Sequence, residues 1–390
     1  MVILLGIFYG FISLLNPEIM SFYFLKYIFL ATIFYFTMLV FLKKISALRN
    51  KFEKNVMVIL VGITLLIMIP TVIYWFFYNN TGFEVSKALR VIMYIPIIFY
   101  IIINKLDLRR YFILFSYIFT FVAVYQMLNI DGEERVLSLF NHSNFYSIYI
   151  VVLIIFLLEK IHFSTQFKNK IYIISYILLN IIIILFGTGS RTSFIVIMFL
   201  LIVYFFFNIR NKLSGIIYSF VFLAVGVLVF IIFKDSLTQT RIFDMSYGYQ
   251  YYGQENSFVW RLKRWHYAIE AWANMPFMTK LIGTGWETAS ILSRDYYGMA
   301  IHNEYLRILI ELGFIGVFGF IFLLGKLLMM GLKCFDKEGY MSLALITIMV
   351  IVSAFTENIF IASESFSAII LSVSVCVGII YKNASEKKTS

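Results

Sequence analysis

The sequence predicts an all-α polytopic membrane protein, with about twelve transmembrane helices and one long, partly helical extracytoplasmic loop. Three observations predict it. Hydrophobic residues make up 62% of the 390 and charged residues only 14%, with a mean hydropathy of +0.90, so no water-soluble globule could cover that much apolar surface. Apolar runs of span length recur without a period-two polar face, and prolines number only four, which favours helices over a closed barrel. Lys and Arg, finally, gather at alternate ends of successive runs.

In chain order the spans fall at 2–17, 20–42, 56–78, 89–104, 111–128, 144–158, 171–187, 192–208, 213–233, 305–325, 340–361 and 364–381. Each is an apolar run approaching the roughly 20 residues that a helix needs to cross the hydrocarbon core. Only Asn16-Pro17-Glu18 separates the first two, so a helical hairpin or a re-entrant segment is the alternative there. No basic flank precedes the first run and no Ala-x-Ala-like site follows it, so it reads as a retained span rather than a cleaved leader.

Segments 43–54, 104–110, 159–170, 209–212, 326–339 and 382–390 hold 19 Lys and Arg, whereas 79–90, 129–144 and 187–191 hold 4. This bias predicts cytoplasmic termini and an outward-facing 234–302 loop. The net charge of +11 sits mostly in the cytoplasmic collars, beside anionic lipid, and calls for no nucleic-acid partner. Cys334 and Cys376 fall on the cytoplasmic side and inside a span, which suggests neither a disulfide nor a metal site. With no repeat and no Gly/Ser linker, residues 1–390 read as a single multispan domain carrying 234–302 as its outer loop.

Three stretches carry chemistry. Gly187-Thr188-Gly189-Ser190-Arg191-Thr192-Ser193 is a tight turn that sets a guanidinium at the outer membrane surface; it either snorkels to headgroups or, with backbone N–H groups exposed by Gly and hydroxyl neighbours, grips an anion. Ser257–Trp272 predicts a helix capped by Ser257, with Arg261, Arg264, Trp265, Ala268 and Trp272 recurring on one face. Two guanidiniums near a helix N-terminus suit a diphosphate, and the two Trp rings suit sugars or the headgroup level. An amphipathic helix lying on the bilayer is the competing reading.

The third stretch runs from Gly283-Thr284-Gly285-Trp286 to His302-Asn303-Glu304 and the following apolar run. His302 is expected at the start of a helix whose positive end favours a neutral imidazole, a competent general base, although a lone His there also serves as a cap or surface residue. Arg307 and Glu311, one turn apart, predict a buried ion pair holding helices in register, and Gly313, Gly316 and Gly319 predict close helix approach. His142, in Phe140-Asn141-His142-Ser143-Asn144, reads as a solvated loop residue, with a place lining the outer cavity as the alternative. Glu357 reads as a charge within or at the end of a span that, beside Asn358, could equally stabilise helix packing. Four His without metal-ligand spacing, and no Asp-x-Asp, predict no metal, no nucleotide sugar and no cofactor.

Gly189-Ser190-Arg191 at the outer end of a span, Arg261 and Arg264 with Trp265 in a long outer loop, Gly283-x-Gly285, and His302-Asn303 leading into Glu311-x-Gly313-x-x-Gly316 together resemble the O-antigen ligase and Wzy-type polysaccharide polymerase family, over about 185–320. The resemblance implies a GT-C-like, metal-independent glycosyltransferase of the bacterial cytoplasmic membrane, acting on undecaprenyl-diphosphate-linked oligosaccharide at the outer face. It further implies that Arg191 and Arg261 hold the diphosphate, that Arg264 supports it and that His302 activates an acceptor hydroxyl. Gly189, Ser190, Trp265, Gly283, Gly285 and Asn303 would have supporting roles. A repeat-unit polymerase for capsule or O-antigen-like glycan is the expected activity, working beside a flippase and a chain-length regulator, with ligation of the finished glycan as the alternative. A lipid-linked oligosaccharide flippase, the reading of another class, would be expected to show paired halves, and no duplication is evident.

Overall fold

The computed structural model describes residues 51–78, 94–129, 135–140, 142–208, 257–286, 288–289, 301–360 and 363–386. The predicted spans at 2–17, 20–42 and 213–233 lie outside the described residues, as does much of the 234–302 loop. The described residues form helices and no strand: α1 (Lys51–Tyr78), α2 (Tyr94–Ile103), α3 (Arg109–Asn129), α4 (Ser143–Phe163), α5 (Phe167–Ile182), α6 (Arg191–Asn208), α7 (Ser257–Ala273), α8 (Phe277–Ile282), α9 (Glu304–Lys333), α10 (Tyr340–Ser353) and α11 (Ser363–Glu386). A π-helical turn, Ile183–Thr188, extends α5. Among the described residues six stretches are long and apolar enough to cross a membrane, one each in α3, α4, α6, α9 and α11 and one running through α5 and its π turn; the chain is a multi-pass membrane protein.

Helix α4 is the hub because it is apolar on every side, and such a helix has to be buried all round. It packs against α3, α5, α6, α10 and α11. The outer helices keep an apolar stripe exposed instead: Leu114, Tyr117, Phe121, Tyr125 and Leu128 recur at three- and four-residue spacing on α3, and Phe314, Phe318 and Phe322 recur at four-residue spacing on α9. Stripes of this kind are what lipid covers.

Two predicted spans are corrected. The run at 340–361 ends as a helix at Ser353, and 354–360 turns back towards α11. Ser353, Thr356, Glu357 and Asn358 crowd four polar side chains into six residues, and the N–H groups of both Thr356 and Glu357 close on the Ser353 carbonyl. The run at 305–325 is longer, reaching Lys333, and is broken inside at Gly313 (φ 66°, ψ −167°). Gly313 therefore interrupts a helix rather than simply easing helix approach, and the carbonyls before it need new donors.

Gly283-Thr284-Gly285 supplies them. The Thr284 and Gly285 N–H groups donate to the Ile310 and Glu311 carbonyls at 3.0 and 2.8 Å. Gly283 and Gly313 cross so closely that a Cβ on Gly283 would fall 2.1 Å from the Glu311 carbonyl oxygen, and one on Gly313 would fall 2.3 Å from that of Leu281. Beside the crossing, Arg307 pairs with both Glu304 and Glu311, lies 4.4 Å above the Trp286 ring, and is fully buried. The predicted Arg307–Glu311 pair is thus present, enlarged by Glu304 and formed within one helix. Thr71 of α1 accepts the Trp286 N–H at 2.9 Å and ties the wedge to the bundle.

Polar segments meet at the two ends of the bundle. At one end Lys105, Arg109, Glu159, Glu338 and Ser385 are in contact, drawn from four segments with the same predicted side. At the other end, contacts join 135–144, 187–192, α7, 302–303 and 354–358.

Candidate active site

The second end is organised around a carboxylate. Glu357 lies in the turn between α10 and α11, its side chain 12% exposed. Its Oε1 receives the Asn144 amide at 3.1 Å and faces Arg261 Nη2 at 3.5 Å, while Oε2 faces His302 Nδ1 at 3.4 Å. Three distant segments converge on one side chain: the first turn of α4, the first turns of α7 and the bend before α9.

Arg191 reaches the same region through its neighbours. Arg135 donates from Nε to the Thr188 carbonyl (2.6 Å) and from Nη2 to Asn144 Oδ1 (2.8 Å), so one guanidinium ties the 187–192 turn to the amide that holds Glu357. Gly189, at φ 59°, takes the left-handed turn that ends the π helix, and Arg191 opens α6 two residues later. The Ser190 hydroxyl is buried and bonds Ser193, while Thr192 and Thr356 share a 3.0 Å hydrogen bond next to Glu357.

Helix α7 docks on α9 by the face predicted to carry function. Trp265 and Trp272 pack with Ala268, Ile301, Leu306 and Ile310, whereas Val259, Leu262 and Ile269 are turned outwards and exposed. Its basic, aromatic side thus faces protein, the reverse of a helix resting basic side up on headgroups. Arg264 is buried, with its guanidinium 4.2 Å above the Trp260 ring, and His302 approaches the same ring at 5.5 Å between centroids. Gly283 and Gly285 (φ 85° and 103°) serve the backbone crossing described above, and their bearing on the site is through the placement of α9.

His302 does not open a helix. Asn303 is the cap, its Oδ1 accepting the Leu306 N–H at 3.0 Å, its own N–H held by Asn358 Oδ1 at 3.1 Å. His302 stands one residue outside the cap at φ 53°, a left-handed backbone that non-glycine residues rarely adopt and that clusters at functional sites. The Glu357 carboxylate, rather than the helix end, is what its ring faces. A carboxylate only accepts hydrogen bonds, so Nδ1 is the donor in this contact with Glu357.

Burial raises the Glu357 pKa, but the His302 hydrogen bond and the charges of His302, Arg261 and His142 outweigh it and hold the carboxyl below its ordinary range. His142 is exposed and caps α4, its ring accepting the Asn144 N–H at 3.2 Å. Sequence reasoning missed Glu357, Arg135 and Trp260 as parts of the site, and offered the 140–144 stretch with Asn144 only as the lesser reading of His142. The polar run from Ser353 to Asn358 was a readable signal that the apolar span ends early; Arg135 had none.

Residues 176–321 match the family model described as O-Antigen ligase. Over that segment, somewhat over a third of its length, the chain is similar to O-antigen ligases. The matched segment runs from α5 into α9 and contains Arg191, Arg261, Arg264, Gly283, Gly285 and His302. Arg135, Asn144 and Glu357 lie outside the O-antigen ligase segment, yet complete the site around it. No curated protein matches the chain.

Proposed function

We propose that the chain transfers a glycan from undecaprenyl diphosphate to a sugar hydroxyl of a lipid-linked repeat, as a repeat-unit polymerase at the extracytoplasmic face of the bacterial cytoplasmic membrane. The observation that carries this reading is the sharing of one carboxylate by His302 and Arg261, with the Arg191 turn tied to it through Arg135 and Asn144. A base and guanidiniums side by side at a membrane end are what glycosyl transfer from a lipid diphosphate needs. The Lys/Arg bias supports the outward face.

In this mechanism the acceptor oxygen attacks the anomeric carbon as its proton passes to His302 Nε2. The bond from that carbon to the diphosphate oxygen breaks, the electron pair leaves with the diphosphate, and Arg191 and Arg261 offset the charge that develops there. Attack opposite the leaving group inverts the anomeric configuration. Arg261, 23% exposed, is the better placed first ligand; Arg264, buried against Trp260, supports it from behind.

Ligation of finished glycan to a surface acceptor is the second reading, favoured by the family description. Reconstitution with purified lipid-linked repeat as the only substrate separates the two. A ladder of polymer supports the polymerase, and bond formation only after a surface acceptor is added supports the ligase. Passage of the repeat across the bilayer with no new glycosidic bond rejects both in favour of transport.

A further inference from the structure

Glu357 lies beyond the family segment and touches both halves of the proposed site, which rests on the reading above. Its two oxygens are divided: Oε1 serves Asn144 and Arg261, Oε2 serves His302. We propose that Glu357 is a positioning residue that orients the His302 base through its Nδ1 and couples that base to loading of the diphosphate on Arg261.

Three features support this. The Asn144 amide, itself fixed by Arg135, holds the carboxylate at Oε1, the oxygen that Arg261 also faces, and so keeps Glu357 in place when Arg261 moves. His302 is kept at a left-handed backbone angle by flanking contacts from the 354–358 turn, where Asn358 accepts the Asn303 N–H and the Ala354 carbonyl accepts the Glu304 N–H; the element that carries Glu357 also sets the backbone beside the imidazole. The His302 contact, at 3.4 Å, is long, as catalytic hydrogen bonds often are before substrate tightens them, and the Arg261 contact, at 3.5 Å, is weak enough to give way to substrate. A diphosphate arriving at Arg261 draws the guanidinium off Oε1 and leaves the carboxylate to Asn144 and His302. When the acceptor proton reaches Nε2, the Nδ1–H···carboxylate contact offsets the imidazolium charge; the proton donated and the bond broken are those of the transfer step itself.

The test uses the full chain in lipid nanodiscs, with purified lipid-linked repeat as substrate and the variants Glu357→Gln, Glu357→Ala, Glu357→Asp and His302→Ala. Expected for Glu357→Gln, the isosteric change that keeps the fold, is a kcat about tenfold or more below wild type, with KM for the lipid-linked donor unchanged or lower because Arg261 is released. Glu357→Asp restores most of kcat, and Glu357→Gln costs nothing further on His302→Ala. Nitrogen-15 spectra of histidine-labelled protein, with the His302 signal assigned by its loss in His302→Ala, show the Nδ1–H tautomer in wild type and its loss in Glu357→Ala. An unchanged tautomer, an intact kcat with raised KM, or a full Glu357→Gln penalty on His302→Ala overturns the positioning role. If wild type forms no glycosidic bond, the functional reading fails, and the tautomer alone decides whether Glu357 orients His302.

Discussion

At each end of the bundle a glutamate meets an arginine from another segment, and the two meetings differ in how completely they are closed. Glu159 is 1% exposed; its Oε2 takes Arg109, and its Oε1 takes the Gly339 and Ser342 N–H groups at 2.7 and 3.4 Å. Arg109 in turn holds Asp107 and Glu338, so every charge in the group is answered. Glu357 has the same number of partner residues, but at 3.1 to 3.5 Å, and Arg261 and His302 are 23% and 29% exposed. A fully buried carboxylate with two short contacts fixes helices; one with long contacts to part-exposed groups is poised to exchange a partner for substrate.

The comparison can be broken by substitutions that separate activity from stability. His302→Ala should lower glycan transfer by about 100- to 10,000-fold, the usual worth of a general base, while the melting temperature in detergent stays near wild type. An equal loss of both would make the two ends alike. Arg109→Ala should do the reverse, costing about 3–5 kcal/mol by leaving Glu159 buried without its cation, read as a fall in melting temperature and membrane protein level, with the specific activity of surviving protein retained. Gly283→Ala probes the wedge that carries α9 to the site: the added Cβ meets a backbone carbonyl at a positive φ, and a loss on the order of 3 kcal/mol is expected in thermal unfolding.

Smaller effects sharpen the contrast. Asn303→Ala removes the α9 cap and should cost about 1 kcal/mol, measured by the same melts. The smallest effect is acid sensitivity. The Glu357 carboxyl lies lower in the folded protein than its ordinary 4.5, so its contribution is fully present above that value and is lost as pH falls through the depressed one. With part-exposed partners this amounts to about 1 kcal/mol or less. The melting difference between wild type and Glu357→Gln should therefore shrink below about pH 4.5, and a difference that grows on acidification would reverse the sign of the argument.

Much of the scaffold was legible because each span is a local run. The predicted 111–128 and 192–208 fall within a few residues of α3 and α6, since run length alone sets where a helix enters and leaves lipid. The face of α7 was legible for the same reason: three- and four-residue spacing puts Arg261, Arg264, Trp265 and Ala268 together whatever surrounds them. Glu357 was not. It follows a long apolar run, and its partners are 55, 96 and 213 positions away, so nothing near it distinguishes a charge that ends a span from one that builds a site. The break at Gly313 was hidden likewise, because a helix interior tolerates an isolated glycine unless, as here, another backbone takes its carbonyls.

By itself, then, the sequence determined that this is a multispan helical protein, where most described helices run, and which guanidiniums and imidazole to watch. Hydrophobic length and helical periodicity are local quantities, written in consecutive residues. Only the tertiary structure decided that Glu357 joins His302 to Arg261, that Arg135 secures the Arg191 turn, and that a glycine crossing carries α9 to them. Those contacts arise where segments far apart in the chain must satisfy each other's polar groups out of water, and pairing of that kind depends on which neighbour the fold supplies.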